Sequence, residues 1–365
     1  MVTVSRSVSK QTQRIRCSRP GFTLLELLVV ISIISVLMSL ILPVIQSARE
    51  AARRTRCMHR LRNLSVAMLS NMDTHQRFPA AAYWGGGSKS GPGPHHNWVV
   101  QLLPWLDRTD LYDRWDMERL ATDSPNKELA SLGLAFLVCP SDSSATSHGD
   151  LSYALNGGIG ESDYVTGVHD CIVDPFGGLL DLNGNGLVCL GTGISDGEPS
   201  DRQIFKKLGL FFNENWKFQG TPGYQGTRRH HTAASLTDGF SNTLMMTENV
   251  RTGADFAAGW ATCDSRRTKV YFSSEIGHAN VCTPGNTELS LANSSSRGIN
   301  AGISAPEGQS PWPGSEHPGG VNMALADGSV RFVAEQIAGA LYFQLFTPQG
   351  AKLDGTALES LGSGF

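Results

Sequence analysis

Charge is scarce in this sequence and unevenly placed. Only 17% of the 365 residues are charged, and the formal net charge is -3. The first 62 residues have a surplus of basic side chains, so the rest of the chain is acidic. An acidic body argues against nucleic acid as a partner. The 40 glycines are typical of a loop-rich, β-containing protein outside the cytosol.

A long uncharged stretch follows a basic N-terminus. No acidic residue precedes Glu26, whereas residues 1–21 carry five basic ones. From Leu27 to Ile45 the only polar side chains are three serines. At about 1.5 Å per residue, this helix would just span the roughly 30 Å hydrocarbon core of a bilayer. The basic leader predicts a cytoplasmic N-terminus, with residue 46 onward outside.

Two simple interpretations of this stretch are a cleaved secretory signal and a plain membrane anchor. The stretch is longer than the apolar region of a secretory signal, and no small-x-small cleavage site follows it. Neither interpretation explains Glu26, because an uncompensated carboxylate near the membrane is costly and usually functional.

The residues RPGFTLLELLVVISIISVLMSLILP closely resemble the class III signal of type IV pilins and pseudopilins. The resemblance implies that prepilin peptidase cuts after Gly21 and that the new N-terminal residue, Phe22, is N-methylated. Glu26 and Pro43 match an acidic residue and a helix proline of that family, and we assign both to assembly. The implied partners are like or related pilin-type subunits, prepilin peptidase, the inner-membrane assembly machinery and the membrane.

The chain has seven cysteines, an odd number that is awkward for an exported protein. Cleavage after the leader would remove Cys17 and leave six, which suits an oxidising compartment. Six cysteines leave many pairings open. Short loops favour Cys171–Cys189 and Cys263–Cys282, which leaves Cys57 to pair with Cys139.

The helix is predicted to continue past the membrane as an amphipathic stem over residues 46–75. Its apolar residues recur at spacings of three and four: Cys57, Leu61, Leu64, Met68 and Met72. Six arginines between positions 49 and 62 form either a solvated face or a contact with lipid headgroups. Pro79 and the glycine-rich loop 85–94 indicate that this helix does not continue beyond the stem.

We therefore divide the chain into a leader (1–21), a transmembrane helix (22–45), the stem (46–75) and an extracytoplasmic head (76–365). The predicted fold is α+β, in which a long N-terminal hydrophobic helix carries a pilin-like globular head with an antiparallel β-sheet. The clearest sheet signal is VNMALADGSVRFV, where alternating apolar residues flank Asp327-Gly328, a pattern typical of a hairpin.

Five blocks of the head resemble the DUF1559 (SBP_bac_10) family, a large family of unknown function found with planctomycete-type pilin leaders. The blocks are NWVVQLLPWLDRTDLY, FLVCPSD, SYALNGG, LTDGFSNTLMMTEN and HPGGVNMALADGSVRFV. The His-x9-Asp-Gly element of that family would be His317, Asp327 and Gly328. Residues 160–227 and 252–310 match weakly. The resemblance implies a leader mechanism but no ligand for the head.

His317 and Asp327 would form a catalytic or zinc-binding pair if they met across the mouth of a hairpin. A structural explanation is simpler, because Asp-Gly is a turn and HPGG is a loop entering a strand. We favour the structural explanation.

Asp181, Asn183 and Asn185 offer alternate oxygens, as in a calcium loop. The twelfth position is Thr192 rather than the glutamate of an EF-hand, and an Asn-Gly-rich turn is the favoured alternative. We expect no cofactor unless calcium binds here. Adjacent histidines, at 95–96 and 230–231, share one ion poorly, so we expect them in surface loops.

Three functions fit this sequence. The first is a structural subunit, type IV pilin-like or pseudopilin, that assembles through its N-terminal helix. The second is a membrane-anchored module whose acidic head binds a glycan or solute. The third is a metal-dependent hydrolase using His317 and Asp327. We adopt the first and expect no enzymatic activity.

Overall fold

The computed structural model describes residues 22–84, 95–146, 148–159, 161–165, 168–173, 201–215, 230–250, 252, 259–263, 268–270, 275–276, 287–288, 298–308 and 310–350. The chain divides between Ala51 and Ala52 into two compact units. The described residues of the first unit, 22–51, include the mostly apolar first half of one long helix. The second unit contains the rest of that helix and the head.

A single helix, α1 (Leu24–His75), contains both the predicted transmembrane segment and the predicted stem. Pro43 lies inside it. All side chains from residue 22 to residue 49 are exposed. Among the described residues, α1 is the one helix long and apolar enough to cross a membrane. The prediction of a long N-terminal apolar helix is confirmed.

Serine hydroxyls in the apolar part of α1 are satisfied within the helix. Ser32, Ser35 and Ser39 each donate to a carbonyl three or four residues earlier, at 2.7 Å. Ser47 does the same at 2.9 Å. Hydroxyls bound in this way need no water, which suits a helix surrounded by lipid.

The head is built from short elements joined by turns. In chain order they are β1 (Ala82–Trp84), β2 (His95–Asn97), α2 (Trp98–Leu102), α3 (Thr109–Tyr112), α4 (Asn126–Ala130), β3 (Tyr153–Asn156), β4 (Glu161–Val165), β5 (Val168–Val173), α5 (Asp201–Leu208), β6 (Glu214–Asn215), β7 (Leu244–Glu248), β8 (Lys269–Val270), β9 (Glu275–Ile276), β10 (Thr287–Glu288), β11 (Gly320–Leu325), β12 (Val330–Ala334) and α6 (Gly339–Phe346).

The main sheet has five strands in the order β12-β11-β7-β3-β8. Its neighbouring strands are antiparallel except β3 and β8, which run parallel. A smaller sheet has the order β2-β1-β6, and the pairs β4–β5 and β9–β10 are two-stranded. The predicted α+β head with an antiparallel sheet is confirmed.

The predicted hairpin is formed by β11 and β12. At its turn, the Ser329 N–H donates to Asp327 Oδ1 at 2.8 Å, and Gly328 has φ +80°. That left-handed conformation costs glycine little, whereas most other residues avoid it. The Asp-Gly pair therefore acts as the turn that the sequence indicates.

The main sheet is covered on both faces. On one face, Tyr153, Leu155 and Ala324 belong to the same apolar core as the stem residues Leu61 and Leu64. On the other face, the core contains side chains of β3, β7 and β11 together with α5 and α6: Ala154, Leu244, Val321, Met323, Ile204, Phe205, Tyr342 and Phe346. The stem thus forms one layer of the head.

The predicted apolar stripe of the stem is confirmed. Cys57, Leu61, Leu64 and Met68 are fully buried, and Met72 packs against them. Two of the six arginines also contact the head, which neither expectation for them foresaw. The Arg54 guanidinium lies 3.5 Å from the centre of the Phe332 ring, and Arg60 donates to the carbonyl of Val138.

Removing one side chain of the stripe should destabilise the head. Leu64→Ala leaves a cavity in the core, so we expect the free energy of unfolding to fall by about 2–5 kcal/mol. Val66→Ala on the exposed side of the same helix is the matched control and should change it by less than about 0.5 kcal/mol. Chemical unfolding of the detergent-solubilised protein measures both. Equal effects of the two substitutions would contradict the packing described here.

Candidate functional site

The first candidate site is the N-terminal end of α1. Gly21 lies outside the described residues, and Phe22 is exposed. The Glu26 carboxylate accepts from both the N–H and the hydroxyl of Thr23, each at 2.9 Å, and the Glu26 N–H donates to Thr23 Oγ1 at 3.2 Å. This reciprocal pair is a capping box, which ties up donors that the first helical turn leaves unpaired.

This capping box was not predicted, although its Thr-x-x-Glu pattern can be read directly from Thr23 to Glu26. The box gives Glu26 a local structural role besides the predicted one in assembly. The two roles differ chemically, since a cap needs an acceptor oxygen and pairing with an amine needs a negative charge.

The second candidate site lies where the stem packs against the head. Four buried side chains bring their sulfur, oxygen and nitrogen atoms within 4.8 Å of one another. Cys57 lies on α1, and Cys139 lies in the connection between α4 and β3. Glu248 is the last residue of β7, and His317 lies in the turn that leads to β11. We call these four residues the stem–head junction.

Cys57 and Cys139 form a disulfide with 5.2 Å between their Cα atoms, so this predicted pair is confirmed. The His317 Nε2 and Glu248 Oε1 atoms are 3.4 Å apart, and both side chains are wholly buried. Cys139 Sγ lies 3.6 Å from His317 Nε2 and 3.7 Å from Glu248 Oε1. The acid–imidazole pair therefore packs directly against the disulfide.

Neighbouring groups hold the acid and the imidazole in place. Asn322 on β11 donates to Glu248 twice, through its backbone N–H to Oε2 and through its amide to Oε1, each at 2.9 Å. The backbone N–H of His317 donates to Ser315 Oγ at 3.1 Å, and that hydroxyl donates to the Gly320 carbonyl at 2.7 Å, which fixes the main chain that carries the imidazole. A buried carboxylate needs such donors, because an unpartnered one would be strongly destabilising.

Glu248 also affects the pKa of a neighbouring tyrosine, Tyr153. Burial, and then the negative charge of Glu248, raise the pKa of Tyr153 well above its ordinary value of 10.0, while Arg60 opposes the rise. The Tyr153 hydroxyl is buried and has no hydrogen-bond partner within the described part of the chain. Arg60 donates to the Val138 carbonyl, next to Cys139, so a positive charge lies on the stem side of the junction.

His317 and Asp327 do not meet across a hairpin mouth, so that possibility is wrong. They lie at opposite ends of β11, and an extended strand of this length separates its ends by about 20 Å. The partners of His317 are Glu248 and the disulfide. Glu248 and Asn322 belong to the blocks LTDGFSNTLMMTEN and HPGGVNMALADGSVRFV, but no local sequence pattern indicates that Glu248 contacts His317 or that Asn322 binds Glu248.

Several other predicted sites lie outside the described residues. They include the proposed calcium ligands Asp181, Asn183 and Asn185, and the side chains of Cys171, Cys189 and Cys282. Cys263 is buried, and its Sγ lies 3.5 Å from the Tyr83 carbonyl oxygen. The pairs Cys171–Cys189 and Cys263–Cys282 stay predictions.

The expectation that the adjacent histidines lie in surface loops is wrong for His96 and His231, which are buried. Burial, with a smaller effect of His95, lowers the pKa of His96 to about 3. Burial also lowers the pKa of His231 to about 4, against hydrogen bonds to the Gly209 and Lys206 carbonyls that raise it. Both histidines are neutral parts of the core near neutral pH.

Comparison with known proteins gives two matches. The family model described as "Protein of unknown function (DUF1559)", SBP_bac_10, matches residues 46–340. The model described as "Prokaryotic N-terminal methylation motif" matches residues 16–42. No curated protein and no solved structure matches the chain. The first match covers most of the chain, and the second covers the start of α1.

Acid should destabilise the head through its buried histidines. The folded-state pKa of His231, about 4, lies below the value near 6.5 expected when it is unfolded. The unfolded chain therefore binds its proton first, so the stability is complete above about pH 6.5 and is lost as the pH falls toward about 4. Between about pH 7.5 and 5, His231 alone should lower the free energy of unfolding by about 2 kcal/mol.

Urea unfolding at these two pH values measures the effect. His231→Gln cannot take up a proton and should reduce the difference between the two measurements by about 2 kcal/mol. His148→Gln, at an exposed position, is the control and should leave the difference unchanged. A pH response that is the same in all three proteins would show that His231 does not contribute.

Proposed function

Since this chain belongs to the DUF1559 (SBP_bac_10) family and carries a prokaryotic N-terminal methylation motif, we propose that it is a pilin-like structural subunit that assembles through α1 into a pilus or a secretion-type filament. One observation carries the proposal: an exposed apolar helix begins within a prokaryotic N-terminal methylation motif. We place the subunit in the inner membrane, with the N-terminus in the cytoplasm and the head outside. Its partners are pilin-type subunits, prepilin peptidase and the assembly machinery.

The exposed surface of α1 supports this proposal. Its apolar side chains between residues 22 and 45 are at least 44% exposed, so the chain itself does not cover them. A surface this apolar needs lipid or other protein around it. In a membrane, lipid covers it in the single subunit. In a filament, the same helices of neighbouring subunits cover it.

Glu26 supports assembly because its charge lacks a cation along the helix. No basic residue occurs between Phe22 and Ala48, and Arg49 is about 35 Å up the helix from Glu26. A carboxylate in the hydrocarbon core costs about 2.5–3.5 kcal/mol on insertion scales. The capping box gives Glu26 Oε2 two hydrogen-bond donors but supplies no cation for the charge. The amine of Phe22 after cleavage, from the same or a neighbouring subunit, is the available cation.

The head supports a structural role over a metal-dependent hydrolase. His317 is buried against a disulfide, where a substrate would not reach it, and Asp327 serves the hairpin turn. We therefore propose that the protein is not an enzyme. A membrane-anchored binding module remains the alternative, and the assembly experiment below separates it from a filament subunit.

Processing should produce a mature chain that begins at N-methylated Phe22. Intact-mass measurement of the purified protein should give the mass of residues 22–365 plus one methyl group. A bulky residue at the cut, as in Gly21→Leu, should retain the leader, because peptidase access needs a small residue there. A wild-type protein with its leader retained, or cut near Ala48, would contradict the pilin-like assignment.

The negative charge of Glu26 should be required for assembly. Glu26→Gln keeps an acceptor oxygen at the capping position but removes the charge, whereas Glu26→Ala removes both. Both variants should be cleaved and methylated, as shown by intact mass. Both should be lost from sheared filaments and from crosslinked multimers, because neither carries the negative charge needed for an ion pair with the N-terminal ammonium group.

The glutamine variant separates the two roles of Glu26. If Glu26→Gln assembles as well as wild type and Glu26→Ala does not, the residue acts as a cap and not through its charge. If both variants assemble normally, or if processed wild-type protein forms no multimers, the membrane-anchored binding module is the better account.

A further inference from the structure

We propose that the stem–head junction is a zinc site when Cys57 and Cys139 are thiols, with Glu248 and His317 as the other two ligands. A disulfide and a metal ion are then alternative ways of closing the same junction. This inference does not depend on filament assembly.

The distances in the junction already fit a tetrahedral ion. Zinc bonds of about 2.3 Å to sulfur and about 2.0–2.1 Å to nitrogen and oxygen place the ligand atoms about 3.3–3.8 Å apart. The separations among His317 Nε2, Glu248 Oε1 and Cys139 Sγ are 3.4, 3.6 and 3.7 Å. Three ligands are thus in position, and only Cys57 Sγ has to move away from Cys139 Sγ once their bond is cut.

The chemistry of the junction selects zinc. Two thiolates, an imidazole and a carboxylate are all common zinc donors, and soft sulfur ligands in a tetrahedral set disfavour magnesium and calcium. Four protein ligands and complete burial leave no open position for a substrate. The ion would therefore be structural rather than catalytic.

The surroundings supply what a buried ion needs. Asn322 holds the Glu248 carboxylate with two hydrogen bonds, in the way that outer-shell partners orient a metal ligand. Two thiolates and a carboxylate exceed the charge of the ion by one negative unit. The Arg60 guanidinium, bound to the Val138 carbonyl, lies on the stem side of the junction and offsets that charge.

The two states are connected by balanced chemistry. A phosphine reductant and one water convert the Cys57–Cys139 disulfide into two thiols and the phosphine oxide. Zinc then displaces the two thiol protons as its bonds to sulfur form. A dithiol reductant performs the first step equally well, since it becomes the disulfide in exchange. A newly made chain starts with both thiols, so the ion can bind before the cysteines are oxidised.

Cobalt(II) titration of the mature, detergent-solubilised protein tests the site. The other cysteines are replaced by serine so that they cannot bind metal: Cys171→Ser, Cys189→Ser, Cys263→Ser and Cys282→Ser. After phosphine reduction, we expect one cobalt per chain, with thiolate charge-transfer bands and the visible spectrum of a tetrahedral ion. Zinc should displace it. The same protein left oxidised is the matched control and should take up none.

Asn322→Ala tests the outer shell. It removes the amide that positions Glu248, so the affinity of the reduced protein for zinc, measured by competition with a chelator, should fall about 10–100-fold. Asn242→Ala, whose amide donates to the Asp238 carbonyl at an exposed position, should leave the affinity unchanged.

Three results would overturn the proposal. One is a reduced, folded protein that binds no more cobalt than the oxidised protein. Another is bound cobalt with an octahedral spectrum and no thiolate charge transfer. The third is a reduced protein that unfolds, as seen by circular dichroism, and does not refold when zinc is added.

Discussion

The covalent link between Cys57 and Cys139 is the constraint on which the rest of the head depends. The apolar stripe of the stem supplies most of the packing, but hydrophobic burial is not directional and would tolerate a helix rotated or shifted by a turn. The disulfide joins residues 82 positions apart and so fixes which part of α1 meets the head. In the chain-entropy model, closing a loop of this length stabilises the folded state by about 4.5 kcal/mol, because it restricts the unfolded chain.

Glu248 and His317 fix the register of the strands that pack against this disulfide. The carboxylate ends β7, its donors come from Asn322 on β11, and the imidazole lies in the turn before β11. Moving either strand by one residue would leave a buried carboxylate without its donors, at a cost of several kcal/mol. The same pair packs against Cys139, so the register of the sheet and the position of the stem are fixed at one place.

Features set by local chemistry could be predicted from the sequence, and features set by distant contacts could not. The periodicity of apolar residues predicts α1 and its buried stripe at Leu61 and Leu64, and the Asp-Gly pair predicts the hairpin turn. Glu248 and His317 are brought together by the pairing of β7 with β11, which no local pattern encodes. The possible pairing of His317 with Asp327, which the sequence did not favour, does not occur, because an extended strand holds its two ends apart.

The prediction that His96 and His231 lie at the surface was wrong for another reason. Adjacent polar residues usually indicate a loop at the surface, but the core of this head contains backbone carbonyls that accept from a neutral imidazole. His231 satisfies its ring there and remains uncharged, so burial is tolerated near neutral pH. The hydrogen-bond capacity of a side chain, and not its polarity alone, decides whether it can be buried.

The two parts of α1 are stabilised in different ways. Every hydrogen bond described for the side chains of residues 23–47 joins groups at most four positions apart, including the capping box of Thr23 and Glu26. The polar groups of these side chains are thus satisfied within the helix, apart from the charge of Glu26, as a lipid environment requires. The stem, in contrast, is fixed by the disulfide and by its buried stripe. In the assembly that we propose, only the surroundings of residues 22–45 would change, because the contacts that fix the stem lie within the head.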